Sequence, residues 1–247
     1  MKKQFLFLIS SFILLAGCNK SEPKRIAGQP YIEIEGTEEN GIRRKYNEQG
    51  IIESEIPYKD SKPHGIQKTY YKTGKLFRET PLVMGRIEGV IKEYYPSGNL
   101  YREMPNIDGK AEGIIKKYYE DGKLMAESPY SKGKLLPGLK EYDKNGNPVE
   151  HPKLVFKPIN KLAVDGSFII EISLSDNTIK STFSQIFIYE NREASNSLPV
   201  QNGKAIFKTF IPKGNTLKKT LIFQAEYTTI RNNVCLIRDT FNCNVSN

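Results

Sequence analysis

Hydrophobic and polar positions recur along residues 41–150 with a period of 24 residues. Glycine opens four units at Gly41, Gly65, Gly89 and Gly113, and Pro137 takes the next register position. In those four units a tyrosine follows after five residues, a glycine after nine, a leucine or isoleucine after eleven, a glutamate after fourteen and a proline after sixteen. So many residue types in register indicate an array of structural repeats.

Each unit is predicted to be a β-hairpin. Asp121-Gly122 is a tight-turn signal between two strand-like segments, and the last residue of a three-residue hairpin loop needs a positive φ, which glycine adopts without steric cost. The glycines at this turn position are Gly50, Gly74, Gly98, Gly122 and Gly146. The proline of each unit ends the second strand, because it cannot donate to a ladder. Successive hairpins therefore predict a single-layer antiparallel sheet over residues 31–150.

Pairing each hairpin about its turn predicts two unlike faces. The more apolar face carries Ile66, Val90 and Ile114 with the tyrosine and leucine that follow each of them. The other face carries aromatic side chains among lysine and glutamate, at Tyr71, Tyr95, Tyr119, Phe77 and Tyr101. These aromatic residues either pack within the protein or form a partner-binding patch, because tyrosine is favoured at interfaces.

The repeated carboxylates have a structural interpretation. Because a catalytic acid is needed once, four glutamates in register favour a charged ladder along the sheet. Pairing about the turns places Glu55, Glu79, Glu103 and Glu127 opposite Arg43, Gln67, Ile91 and Ile115.

Residues 151–247 follow a different pattern. Alternation over 168–174, 185–189, 205–211 and 221–227, with turn signals between, predicts a β-sandwich that is Ig-like in a loose sense. If 234–237 and 241–245 formed a hairpin, Cys235 and Cys243 would face each other within disulfide reach. The predicted fold is thus all-β, a repeat sheet followed by a disulfide-closed sandwich.

The first residues predict an exported lipoprotein. Lys2 and Lys3 precede an apolar run too short to span a bilayer, and the run ends in Leu15-Ala16-Gly17-Cys18, which resembles a bacterial lipobox. Residues 1–17 would be removed as a signal peptide, Cys18 would carry diacylglycerol and palmitate, and 18–30 would form a flexible tether. The expected location is the cell envelope. If the cell is Gram-negative, we expect the outer membrane, facing the periplasm or the surface.

Charge and motifs argue against several function classes. The formal charge of +9 falls to +7 without Lys2 and Lys3, and the basic residues are interspersed rather than gathered in the stripe of a nucleic-acid binder. Both histidines, His64 and His151, lie in or beside loops, and we find no hydrolase elbow, P-loop or metal-ligand spacing. We therefore expect no enzyme activity, no cofactor, no metal and no nucleic-acid partner.

The repeat motif resembles a known family. Gly-x4-Tyr-Tyr-x2-Gly-Lys-Leu-x2-Glu is similar to the variant MORN repeat of bacterial YwqK-type antitoxin components, over about 110 residues. Departures fall in the first and last units, where Asn47 and Asp143 replace the second tyrosine and where Ser61 and Pro137 replace glycine, as expected of capping repeats. The resemblance implies neutralisation of a toxin, which for an exported protein means a toxin delivered to the envelope.

The sequence leaves three functions open. The leading hypothesis is a non-catalytic envelope lipoprotein that binds a protein or polymer through its repeat sheet, acting in an antitoxin-like or immunity-like way. The alternative is a structural scaffold attached to peptidoglycan or outer-membrane components. A minor alternative is an enzyme of unknown type in the C-terminal domain.

Overall fold

A computed structural model describes residues 28–178 and 180–247. The predicted signal peptide, the predicted lipid attachment site at Cys18 and most of the predicted tether lie outside the described residues. Among those described, no helix is long and apolar enough to cross a membrane.

Residues 31–149 form one antiparallel sheet, which confirms the predicted hairpin array. Fifteen strands of the described chain belong to it, and the main path of neighbouring strands follows chain order. The strands are β1 (Tyr31–Gly36), β2 (Gly41–Tyr46), β3 (Ile52–Lys59), β4 (Lys62–Pro63), β5 (Gly65–Tyr70), β6 (Leu76–Val83), β7 (Arg86–Ile87), β8 (Gly89–Tyr94), β9 (Leu100–Ile107), β10 (Lys110–Ala111), β11 (Gly113–Tyr118), β12 (Leu124–Ser131), β13 (Lys134–Leu135), β14 (Lys140–Tyr142) and β15 (Pro148–Val149).

The hairpin turns have the geometry that their sequence suggests. In the unit that begins at Gly65, Tyr71 N donates to Lys75 O at 2.8 Å, and Gly74 N donates to Tyr71 O at 2.8 Å. All five turn glycines have positive φ, from 74° at Gly50 to 99° at Gly98. A β-bulge beside the turn in each of the first four units, absent from the sequence prediction, leaves one residue of the second strand without a partner.

The bulge corrects the predicted register. Beyond it, Glu55 faces Arg44, and Glu79, Glu103 and Glu127 face Lys68, Lys92 and Lys116. The pairing predicted with Arg43, Gln67, Ile91 and Ile115 is wrong by one residue. Successive side chains of a strand point to opposite faces of the sheet, so the one-residue shift has a second effect. On the second strand of each of these hairpins, the side chains beyond the bulge lie on the face opposite to the one predicted.

The regular spacing of glycine and proline along the repeat units has a packing reason. A Cβ atom added at Gly89 would lie 3.2 Å from Pro81 Cγ, and one at Gly65 would lie 3.0 Å from Pro57 Cγ. Both glycines also have positive φ, 113° and 109°. The proline that closes one unit therefore packs directly on the glycine that opens the next.

Residues 154–246 form two further sheets, with neighbour orders β16-β17-β21-β20 and β19-β18-β22-β23 among the described residues. The elements are β16 (Leu154–Lys161), α1 (Leu162–Asp165), β17 (Ser167–Leu174), β18 (Ser181–Tyr189), β19 (Arg192–Ser197), β20 (Val200–Gln201), β21 (Lys204–Phe210), β22 (Thr216–Thr228) and β23 (Val234–Ser246). The Phe223 ring packs between the sheets, with centroids 5.7 Å from Phe156 and 5.5 Å from Phe207. The sheets therefore enclose a common core.

The predicted disulfide between Cys235 and Cys243 is wrong. Residues 234–246 form one continuous strand instead of a hairpin, and both cysteines are free and buried. Eight residues of extended chain span roughly 26 Å, whereas a disulfide joins Cα atoms no more than about 7 Å apart. Cys235 instead faces Tyr227 across the ladder, and Cys243 faces Lys219. Burial raises the pKa of both thiols.

Candidate partner-binding surface

One face of the repeat sheet, which we call the outer face, carries charged and aliphatic side chains in rows. A row of alternating charge crosses it from strand to strand, each residue facing the next. The row runs Glu33, Arg44, Glu55, Lys68, Glu79, Lys92, Glu103, Lys116, Glu127 and Lys140, and we call it the charge ladder. Its eight central members are half-buried. Since opposite charges alternate, the ladder neutralises itself and presents no field of one sign.

The first tyrosine of a unit ties that unit to the carboxylate of the preceding one. Tyr94 OH donates to Glu79 Oε2 at 2.8 Å, and Tyr118 OH donates to Glu103 Oε2 at 2.8 Å. Burial and these carboxylates raise the pKa of Tyr94 and of Tyr118 to about 12. The same bond lengthens to 3.4 Å between Tyr142 and Glu127 in the last unit. Glu79 and Glu103 thus each hold two neighbouring units together.

Beside the ladder lies a stripe of exposed aliphatic side chains. Val90 retains 41% of its accessible surface and Ile114 retains 43%. Strand alternation puts five such residues on the outer face, and we call them the aliphatic stripe: Ile66, Val83, Val90, Ile107 and Ile114. The face predicted to be the more apolar is therefore left open to solvent.

The opposite, inner face carries a buried polar row. Glu93 is 2% exposed and lies between two arginines. Its carboxylate accepts from Arg78 Nε at 2.9 Å and from Arg102 Nε at 2.9 Å. Burial alone would raise the pKa of Glu93, but both guanidinium groups overcome that effect and hold it below its usual value. Sequence reasoning missed this cluster, whose only signal is an acidic residue that departs from the repeat pattern.

The aromatic residues proposed as a binding patch make contacts within the array. The hydroxyls of Tyr71, Tyr95 and Tyr119 donate to the carbonyls of Tyr94, Tyr118 and Tyr142, at 2.6, 2.7 and 2.8 Å. Phe77 and Tyr101 are the bulged residues of their hairpins, and their rings lie 5.0 Å from those of Tyr71 and Tyr95. All five side chains are half-buried. The hydroxyls of Tyr71, Tyr95 and Tyr119 thus link consecutive units.

The two histidines lie in separate parts of the described chain. His151 Nδ1 lies 3.1 Å from the Tyr227 hydroxyl, and His64 lies in the loop before β5. Within residues 28–178 and 180–247, no group of three histidine, cysteine or acidic side chains could hold a metal ion.

Comparison with known families identifies the repeats. The MORN repeat variant matches four times, at residues 39–60, 63–83, 87–105 and 111–132. The matches fall on four successive hairpins of the repeat sheet, so residues 39–132 are similar to a run of MORN repeats. No curated protein matches the chain.

Proposed function

We propose that this protein is a non-catalytic binding module that captures a protein partner on the outer face of its repeat sheet. The observation that carries the proposal is the aliphatic stripe, exposed over three successive units beside the charge ladder. Aligned aliphatic side chains of this kind mark interaction sites more often than ordinary surface. An apolar centre bordered by polar side chains is also the usual composition of a protein–protein interface.

The charge pattern favours a protein over an anionic polymer. A polyanion is attracted by a field of one sign, and the charge ladder offers alternating signs at every strand. A folded partner can match such an alternation at fixed positions, which gives specificity. Attachment to peptidoglycan or to outer-membrane components is the alternative, and co-purification with peptidoglycan would favour it.

We further propose that the module acts from the cell envelope, held by a lipid on Cys18. The support is the sequence Leu15-Ala16-Gly17-Cys18 after a charged and apolar leader. Replacing Cys18 by alanine should leave the precursor uncleaved and unlabelled by radioactive palmitate. Labelling of that variant at the wild-type level would contradict lipid anchoring.

The similarity to antitoxin components supports a finer proposal, that the partner is a toxin delivered to the envelope. Its test is protection: cells that make the protein should survive a toxin encoded beside its gene, and cells that make an outer-face variant should not. Equal survival of both would remove the immunity role and leave the binding role.

Paired substitutions distinguish the outer face from the aromatic set. Val90→Asp with Ile114→Asp adds charge to the aliphatic stripe, where the side chains are already exposed, and should abolish capture without loss of folding. Tyr95→Ala with Tyr119→Ala is the matched comparison, which should reduce stability because it removes links between units. Capture that survives the aspartates and fails with the alanines would move the binding site to the aromatic set.

A further inference from the structure

The last repeat unit contains a second buried carboxylate, Glu141, with a 1% exposed side chain. Its partners come from the turn between β22 and β23, in the C-terminal sheets. Thr229 Oγ1 donates to Glu141 Oε1 at 2.7 Å, and Asn233 Nδ2 donates to the same oxygen at 2.6 Å. Arg231 Nη1 lies 3.7 Å from Glu141 Oε2. The buried carboxylate of Glu141 thus receives these hydrogen bonds from a turn that is distant in sequence.

Glu141 is the repeat equivalent of Glu93, since each lies four residues after the opening position of its unit. Glu93 faces Arg78 on one neighbouring strand and Arg102 on the other. Within the array, Glu93 therefore receives both of its cationic partners from adjacent strands.

At Glu141 both of these arginines are missing. The residue that faces Glu141 on β12 is Ala126, in the register position of Arg78 and Arg102, and the residue that faces it on β15 is Val149. Ala126 is 1% exposed and belongs to one hydrophobic cluster with residues of the C-terminal sheets. The small side chain of Ala126 thus occupies the register position that holds an arginine in the units of Arg78 and Arg102.

The β22–β23 turn has further contacts on the same face. Arg231 Nε donates to the Tyr119 hydroxyl at 3.1 Å, and Lys117 Nζ donates to Asn233 Oδ1 at 2.6 Å. Asn233 is 3% exposed, so the turn is embedded in the inner face. The turn is closed by its own backbone, with Thr229 N donating to Asn233 O at 2.9 Å.

We propose that the last repeat unit is a docking site for an arginine-bearing turn, and that residues 229–233 are its built-in occupant. Arg231 takes the place of the repeat arginine that Ala126 lacks, and Ala126 provides the space. The C-terminal sheets thereby cap the array and are fixed to it. Docking closes the inner face at its last units and leaves the outer face for a partner.

The test is hydrogen exchange on the full-length protein. Arg231→Ala should speed exchange of the residue 229–233 amides by roughly tenfold or more, because a charged hydrogen-bonding partner is lost, while amides of β5–β9 stay protected. Arg238→Ala is the matched control, since Arg238 lies on the same hairpin but pairs with Glu193 and Gln224. It should leave the turn protected.

Ala126→Arg provides an independent variant. It restores the repeat arginine beside Glu141, so it should release the turn while the repeat amides remain protected. Should Arg231→Ala fail to fold, Asn233→Ala replaces it with the same expected release. The proposal would be overturned if the turn amides exchanged at the wild-type rate in Ala126→Arg and in either loop variant. It would also be overturned if Arg238→Ala sped exchange of the turn amides as much as the loop variants do.

Discussion

The tyrosine–carboxylate bonds offer a direct test of how neighbouring repeats are held together. Tyr118→Phe removes only the hydroxyl that donates to Glu103 at 2.8 Å and keeps the ring. A hydrogen bond to a charged group contributes about 1.5–3 kcal/mol. Because Tyr118 and Glu103 are half-buried, solvent screens the interaction and the lower end applies. We expect a loss of about 1.5 kcal/mol in the free energy of unfolding.

Tyr142→Phe is the matched control, because the same atom is removed from the same ladder where the bond to Glu127 is 3.4 Å. At that length little hydrogen bonding is left to lose, so the cost should stay below about 0.5 kcal/mol. Thermal unfolding should show Tyr118→Phe melting about 3–6 °C below the wild type, and Tyr142→Phe close to it. Equal melting temperatures for the two variants would refute the view that these bonds couple the units.

Three further predictions follow from the turns, the tyrosines and the thiols. Gly98→Val should cost a few kcal/mol, because φ is +99° there and a β-branched residue is strongly disfavoured at positive φ; Ser97→Val should cost much less in the same denaturant titration. The raised pKa of Tyr94 stabilises the folded protein below about pH 10, and this contribution should disappear as pH rises to about 12; a Tyr94→Phe variant should show a flatter stability profile across that range. Cys235 and Cys243 should react with a thiol reagent only after denaturation, and dithiothreitol should not change the melting temperature. A lower melting temperature in dithiothreitol would show that the two cysteines form a disulfide after all.

The sequence predicts the repeat sheet well because its signals are local and repeated. Each hairpin has its own turn glycine, and four units repeat the same pattern. A departure from the pattern in one unit therefore does not change the predicted fold, because the other units carry the same signals. The register was lost by one residue because a β-bulge leaves no compositional mark: Phe77, Tyr101 and Met125 are bulged, yet any of them could equally extend a regular strand.

The polar row of the inner face could not be predicted for a different reason. Glu93 and Glu141 look like surface carboxylates in the sequence, and the burial of Glu93 depends on two arginines that only the correct register places beside it. The partners of Glu141 lie about 90 residues further along the chain, and no periodicity connects the two segments. The disulfide prediction failed in a similar way, because β23 continues through Arg238, Asp239 and Thr240, which resemble a turn.

Site-specific photo-crosslinking tests the central claim, that the outer face of the repeat sheet is the partner-binding surface. A crosslinking amino acid at Val90 in the full-length protein should give one discrete protein adduct in living cells. The same amino acid at Ile188, a more exposed aliphatic position on the C-terminal sheets, should not give that adduct. An adduct of the same mass from Ile188 and none from Val90 would contradict the claim.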